Sequence, residues 1–310
     1  MSKKIIFMGT PIFAVPILKS LYQNGYPISV VYTQPPQKSQ RGLKINKSPI
    51  QNISETLNIE FRFPKTLKEN DEEYNYLKQL DADLAIVVAY GQMIPKRFLN
   101  LTKKGFINIH ASILPKWRGA APIQRSIMNL DSETGISIMK ISEELDSGPV
   151  SNIYRIKLDQ KDNTEVISEK LSFLAAEKIL DNIDDILEDN IKFTEQSHSE
   201  ASYARKIEKQ EGLINWNDEA SKNIGKINGL FPTPGAFFNL SGIRYKVLRA
   251  EVGNGSGKPG EVLTDKLEIA CGNNQSIKIL EIQRQGKKSQ KIGEFILGSQ
   301  IKKGSVIENV

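Results

Sequence analysis

The first half of the chain alternates short apolar runs with amphipathic ones. Lys4 to Met8, Ile28 to Thr33, Leu84 to Ala89 and Gly105 to Ile109 have strand length and are rich in β-branched residues. Phe13 to Gln23, Ile50 to Leu57 and Ile123 to Asn129 instead carry apolar residues at helical spacing. Strands alternating with helices predict an α/β domain, a Rossmann-like, mostly parallel sheet covered on both faces. Leu84-Ala85-Ile86-Val87-Val88 holds no polar residue, the pattern of a central strand buried on both sides. In such sheets ligands bind beyond the carboxyl ends of the strands. Gly9, Tyr90-Gly91 and Asn108 to Ser112 each follow a strand, so they are expected at one rim.

The pattern then changes. Asn163 to Leu187 reads as an amphipathic surface helix with many acids, and the polar stretch Glu195 to Arg205 as a linker in which His198 is solvated. A short helix near Asp218 to Gly229 and the turn Phe231-Pro232-Thr233-Pro234-Gly235 follow. Ala236 to Asn239, Tyr245 to Val252, Gly260 to Leu263, Leu267 to Cys271 and Ile277 to Gln283 are β-rich runs separated by turn residues, which predict a small C-terminal β-barrel, OB-like in character. Phe231, Phe237, Phe238 and Tyr245 are expected to fill its core. The expected division is residues 1–190, a linker at 191–206, and residues 207–310.

Composition narrows the class. The 310 residues include one cysteine, Cys271, so no internal disulfide forms, and two histidines, which leave no cluster spaced like a zinc site. Both point to a reducing, cytoplasmic setting without a metal. Gly9-Thr10-Pro11 interrupts the apolar run after Lys3-Lys4 too early for a signal peptide, and Leu84 to Tyr90 is too short to cross a bilayer, so no membrane association is expected. The net charge is +6, with 27 basic against 25 acidic residues up to Lys206 and 15 against 11 after it. The excess therefore sits mostly in the smaller part, and an anionic partner is consistent with it.

The candidate chemistry lies after the strand Gly105 to Ile109. Asn108 and His110 are two apart, so on a strand they share a face. An amide that donates to a developing oxyanion beside a group titrating near neutrality suits acyl transfer. Read alone, the pair is as well explained by a turn asparagine and a hydrogen-bonded core histidine. Gly9-Thr10-Pro11-Ile12-Phe13 follows the first strand with one glycine where a dinucleotide fingerprint needs three, which argues against pyrophosphate binding.

The wider context decides between these readings. Ala111-Ser112-Ile113-Leu114-Pro115-Lys116-Trp117-Arg118-Gly119-Ala120-Ala121-Pro122 after His110, together with Gly9 to Pro16, Val87 to Gln92 with Pro95, and Leu145-Asp146-Ser147-Gly148-Pro149, closely resembles the folate-dependent formyltransferases. These ordered motifs span most of residues 1 to 150. The resemblance implies that 10-formyltetrahydrofolate is the co-substrate and that an amine attacks its formyl carbon. Asn108 would then donate to the oxyanion, His110 would donate as well or shuttle a proton, and Asp146 would pair with His110; which of the last two is the base stays open. The folate is implied to lie along Val88, Ala89, Tyr90, Gly91 and Gln92 and along Ser112, Ile113, Leu114 and Pro115.

The acceptor is set by other features. Thr33 to Pro49 contains Lys38, Arg41, Lys44 and Lys47 and no acid, and a long cationic loop in a compact domain suits a phosphate backbone. It resembles the insertion with which relatives grip the end of a tRNA, Arg41-Gly42 and Lys44 matching best. Arg118 to Pro122 also resembles the tRNA-using branch. Residues 244–303 hold 12 basic and 6 acidic side chains, and Arg284, Lys287, Lys288 and Lys291 cluster there. The expectation is a monomeric enzyme acting on initiator methionyl-tRNA, with Thr10 to Phe13 lining the methionine pocket and the place of Trp117 open. Two rivals are a formyltransferase for a small amine, such as an amino-sugar nucleotide, and an RNA-binding protein without catalysis.

Overall fold

In the computed structural model, which describes residues 3–38, 45–299 and 301–308, the apolar runs become inner strands of a seven-stranded sheet. In chain order the strands are β1 (Ile5–Gly9), β2 (Ile28–Tyr32), the paired two-residue β3 (Gln37–Lys38) and β4 (Ile45–Asn46), β5 (Phe61–Arg62), β6 (Leu84–Val88), β7 (Phe106–His110), β8 (Arg118–Gly119), β9 (Glu133–Lys140), β10 (Val150–Lys157) and β11 (Tyr203–Ala204). The large sheet runs β10-β9-β7-β6-β1-β2-β5. β5, β2, β1, β6 and β7 pair in parallel, and β9 is antiparallel to β7. β1 and β6, the central pair, are buried along their whole length, as expected of strands covered on both faces.

Helices join the strands. α1 (Val15–Gln23) follows β1, α2 (Pro49–Thr56) precedes β5, and α3 (Asp71–Leu80) precedes β6. Each of the last two starts on a side-chain cap: Ser48 Oγ accepts from the Gln51 N–H at 2.9 Å, and Asn70 Oδ1 from the Glu73 N–H at 3.1 Å. Further on lie α4 (Lys96–Leu99), α5 (Pro122–Met128), α6 (Thr164–Leu187), α7 (Ala220–Gly229) and α8 (Ile292–Phe295). Among the described residues no helix is long and apolar enough to cross a membrane.

The chain divides into two units. One comprises Met1–Gly119, Gly135–Arg155 and Ser168–Tyr203, the other Ala120–Thr134, Ile156–Ile167 and Ala204–Val310. Most of the segment expected as a linker, up to Tyr203, thus belongs to the first unit. The second unit contains β12 (Ala236–Leu240), β13 (Ile243–Val252), β14 (Glu268–Ala270), β15 (Ser276–Arg284) and β16 (Gln290–Lys291). They form an antiparallel sheet in the order β12-β13-β15-β14, with β16 on β15. Ser241 and Gly242, both at positive φ, form the tight turn that joins β12 to β13. The run Gly260 to Leu263 contributes only the bridges Glu261 to Val306 and Val262 to Ile269. Phe238 and Tyr245 lie in the core with Trp216, Ile269, Ile277 and Phe295, and Phe237 is buried as well, whereas Phe231 is half-buried.

Candidate active site

β7 ends at His110, and its alternation sends Ile107 and Ile109 to one face and Asn108 and His110 to the other. Asp146 comes from the turn between β9 and β10. That turn is tight enough to need two special backbone positions. Asp146 sits at φ +49°, and a Cβ on Gly148 would lie 2.0 Å from the Lys140 carbonyl oxygen, so only glycine fits there.

The Asp146 carboxylate joins the other two side chains. Its Oδ1 accepts from Asn108 Nδ2 at 3.3 Å, and its Oδ2 accepts from the Gly119 N–H at 2.8 Å and lies 3.6 Å from His110 Nδ1. His110 Nε2 is 2.9 Å from the Trp117 carbonyl oxygen. A carbonyl only accepts, so Nε2 carries hydrogen, and Nδ1 is the ring atom that faces the carboxylate. Asn108 Nδ2 also meets Met139 Sδ at 4.0 Å, across the β7–β9 register. A thioether is a weak acceptor, so the amide hydrogen facing it is the one a stronger acceptor can claim. These three side chains therefore place an oriented amide donor beside an imidazole–carboxylate pair 7% and 15% exposed. That set can stabilise an oxyanion and move a proton, which is acyl-transfer chemistry. Among the described residues no group of three or more His, Cys, Asp or Glu side chains is placed to hold a metal ion.

The profile of the family described as Formyl transferase matches residues 3–183, and that of the Formyl transferase C-terminal domain matches residues 206–300. The chain belongs to this family. A methionyl-tRNA formyltransferase of Pelagibacter ubique is 69% identical over 310 residues, covering 100% of both chains. One from Bradyrhizobium diazoefficiens is 39% identical and covers 98% of this chain and 99% of its own. Among solved structures, the sugar 3N-formyl transferase WlaRD, crystallised with dTDP and 5-N-formyl-THF, superposes with a TM-score of 0.69 at 18% identity, covering 93% of this chain and 100% of its own. HypX of Aquifex aeolicus with tetrahydrofolic acid gives 0.67 at 17% identity, covering 100% of this chain and 50% of its own. At such identities these two report a shared fold.

Other sequence-selected residues of this formyltransferase fall into three groups. In the first group, Ala89 and Gly91 are exposed and both have positive φ, while the Tyr90 ring is buried in the core with its hydroxyl unpartnered. Burial raises the Tyr90 phenol well above its ordinary range. The Tyr90 carbonyl accepts from Thr10 Oγ1 at 2.8 Å, which ties the β1 and β6 loops together. Gln92 donates to the Pro64 carbonyl at 2.9 Å, and its Oε1 is buried without a partner. The second group, Ser112 to Pro115, is partly committed: Ser112 Oγ donates to the Lys116 carbonyl at 2.6 Å, and the Leu114 N–H to Ser137 Oγ at 3.1 Å.

The third group is cationic. Arg41, Gly42 and Lys44 lie outside the described residues, as does the side chain of Lys38. Lys47 Nζ lies 2.8 Å from both carboxylate oxygens of Glu55, so its charge is met within the protein. Arg284, Lys287 and Lys288 line a concavity of about 350 Å³ in the second unit, with Gln290, Glu294 and Phe295. Lys291 is exposed and stands opposite Glu281 on β15. Two residues at the site escape any sequence pattern. Gln196 and Ser202, from the stretch read as a linker, reach the Asp146 turn and the Trp117 backbone; only the burial of Gln196 marks it, and burial is not visible in sequence.

Proposed function

We propose that this enzyme transfers the formyl group of 10-formyltetrahydrofolate to the amino group of methionine on initiator tRNA. The observation that carries the chemistry is the single carboxylate of Asp146, which orients both the Asn108 amide and the His110 ring. The 69% identity to a methionyl-tRNA formyltransferase over the whole chain supports the acceptor. The pterin is held against the loop peptides of Val88 to Gln92 and Ser112 to Pro115, and the unpartnered Gln92 Oε1 suits a ring N–H donor.

The methionine nitrogen attacks the formyl carbon, and the carbonyl oxygen becomes a tetrahedral oxyanion. Asn108 donates to that oxygen, exchanging its weak contact with Met139 sulfur for a charged acceptor. Collapse breaks the bond from carbon to the folate nitrogen. The proton lost by the amine and the proton gained by that nitrogen pass through the His110–Asp146 pair, with its Nε2 hydrogen fixed on the Trp117 carbonyl. Lys38, Arg41, Lys44 and the Arg284, Lys287, Lys288 and Lys291 group supply cations for the tRNA backbone, with Gly42 and the Glu55-paired Lys47 in the same cationic stretch as the first three.

The test is formyl transfer by the purified protein to methionylated initiator tRNA, methionylated elongator tRNA, an amino-sugar nucleotide, and no acceptor. Transfer confined to initiator tRNA is expected. Transfer to the sugar, or hydrolysis of the donor without an acceptor, overturns the tRNA reading. In the same assay Asn108→Ala should lower kcat by about 10²- to 10³-fold, and a defect in tRNA binding alone would remove its oxyanion role.

A further inference from the structure

The Asp146 turn is held from a distant part of the chain, the stretch that contains Gln196 and Ser202. Gln196, 9% exposed, donates from its one amide nitrogen to two carbonyls, Asp146 O at 2.9 Å and Gly148 O at 2.7 Å. Its Oε1 in turn accepts from Nε and Nη2 of Arg118, at 3.0 and 2.8 Å. Arg118 is 1% exposed, so the fork has no solvent into which to relax. Next along β8 the Gly119 N–H binds the Asp146 carboxylate at 2.8 Å. Backbone and side chain of Asp146 are thus fixed from two adjacent residues, one directly and one through Gln196.

The same segment fixes the imidazole's partner. Ser202 Oγ accepts from the Trp117 N–H at 3.0 Å, the Ser202 carbonyl accepts from the Arg118 N–H at 2.9 Å, and the Trp117 carbonyl is the one that meets His110 Nε2. Asp146 and Trp117 are both at positive φ, conformations that relax unless neighbouring contacts hold them.

We infer that Gln196 is a positioning residue for formyl transfer, holding the Asp146 turn so that one carboxylate serves Asn108 and His110 together. The inference rests on the formyltransferase reading of the site. Its chemistry is specific to an amide: the two carbonyls need a donor, and the Arg118 fork needs an acceptor. Gln196→Glu separates these, because a carboxylate keeps the pairing with Arg118 but cannot donate to Asp146 O or Gly148 O.

The experiment measures kcat, both KM values and the thermal midpoint for the wild type, Gln196→Glu, Asp146→Asn and the double variant. Gln196→Glu should lower kcat roughly tenfold to hundredfold, the scale of a small misplacement of catalytic groups, with KM for donor and tRNA nearly unchanged. In the Asp146→Asn background the further loss should vanish, because residues acting through one another are not additive. Wild-type kcat in Gln196→Glu, or a full additional loss on top of Asp146→Asn, overturns the inference. Should Gln196→Glu fail to fold, the uncharged Gln196→Met takes its place with the same expected and contrary outcomes. An inactive wild type would instead overturn the formyltransferase reading, so the two failures are distinct.

Discussion

What a carboxylate can do depends on which of its lone pairs the fold has already used. Asp146 takes one backbone N–H and one amide, and its Oδ2 also faces the His110 ring at 3.6 Å. Glu268 is the opposite case. Its Oε1 accepts from the N–H groups of Asn254 at 2.9 Å and Gly255 at 2.7 Å and from Ser276 Oγ at 2.8 Å, closing a loop onto β14. Burial pushes the Glu268 carboxyl up, but the Gly255 N–H, the Ser276 hydroxyl and the Asn254 N–H outweigh it and hold the group below its ordinary range. A carboxyl with a lowered folded-state pKa stabilises the fold fully above its unfolded pKa of about 4.3. That stability is lost as pH falls through the folded-state value. Glu268→Gln keeps an acceptor but removes its charge, and should cost about 1–2 kcal/mol at neutral pH. In urea melts the difference from wild type should shrink steadily below pH 4; a difference constant from pH 7 to pH 3 would show that the charge contributes nothing.

Edge elements of the first unit rely on side chains where backbone pairing is short. β5 has two residues, too few to anchor itself through its ladder with β2. Arg62 on β5 donates to Glu73 of α3 through Nε at 2.7 Å and Nη2 at 2.9 Å, and the Tyr32 hydroxyl on β2 donates to the same carboxylate at 2.6 Å. Burial and that hydrogen bond push the Tyr32 phenol far above its usual range. The guanidinium also lies over the Tyr76 ring, 4.3 Å from its centre. Arg62→Met would strand the Glu73 side chain, 8% exposed, and should destabilise the protein by about 3–5 kcal/mol, while Arg62→Met with Glu73→Leu should recover most of that loss. Equal midpoints for the wild type and the single variant would show the pair to be ornamental. None of this latch is legible in the sequence, because Tyr32, Arg62 and Glu73 come from three separate elements. β9 and β10 are hidden for a related reason. Gly135 and Ser137 break the apolar pattern of β9, yet a Cβ at Gly135 would meet the Tyr154 carbonyl at 2.1 Å, and the buried Ser137 hydroxyl donates to the Ser112 carbonyl at 2.7 Å. The inner strands and the Asn108–His110 spacing were legible because period and burial coincide there. Asp146 was legible through the family motif alone, and Gln196 not at all, since it lies 50 residues from its partner.

At the scale of the whole molecule the substrate's charge matters more than any one contact. A tRNA is a polyanion, and each phosphate neutralised by a cation releases counterions, so binding weakens linearly in log–log fashion with salt. Net charge alone says little, because an internally paired cation has already lost its counterions. Lys47 is such a cation, held by Glu55. Arg284, Lys287 and Lys288 are exposed around one concavity, with a single acid, Glu294, among its lining residues. Changing all three to Gln should therefore reduce the slope of log Kd against log salt by about 2–3, roughly 0.7–0.9 per phosphate contact. Lys47→Gln should reduce it by less than any one of the three. Formyl transfer at saturating tRNA should keep its kcat in the triple variant, because Asn108, His110 and Asp146 are untouched. An unchanged slope would place the tRNA backbone elsewhere, whereas an equal effect from Lys47 would mean that the bound tRNA breaks the Glu55 pair and takes the lysine for itself.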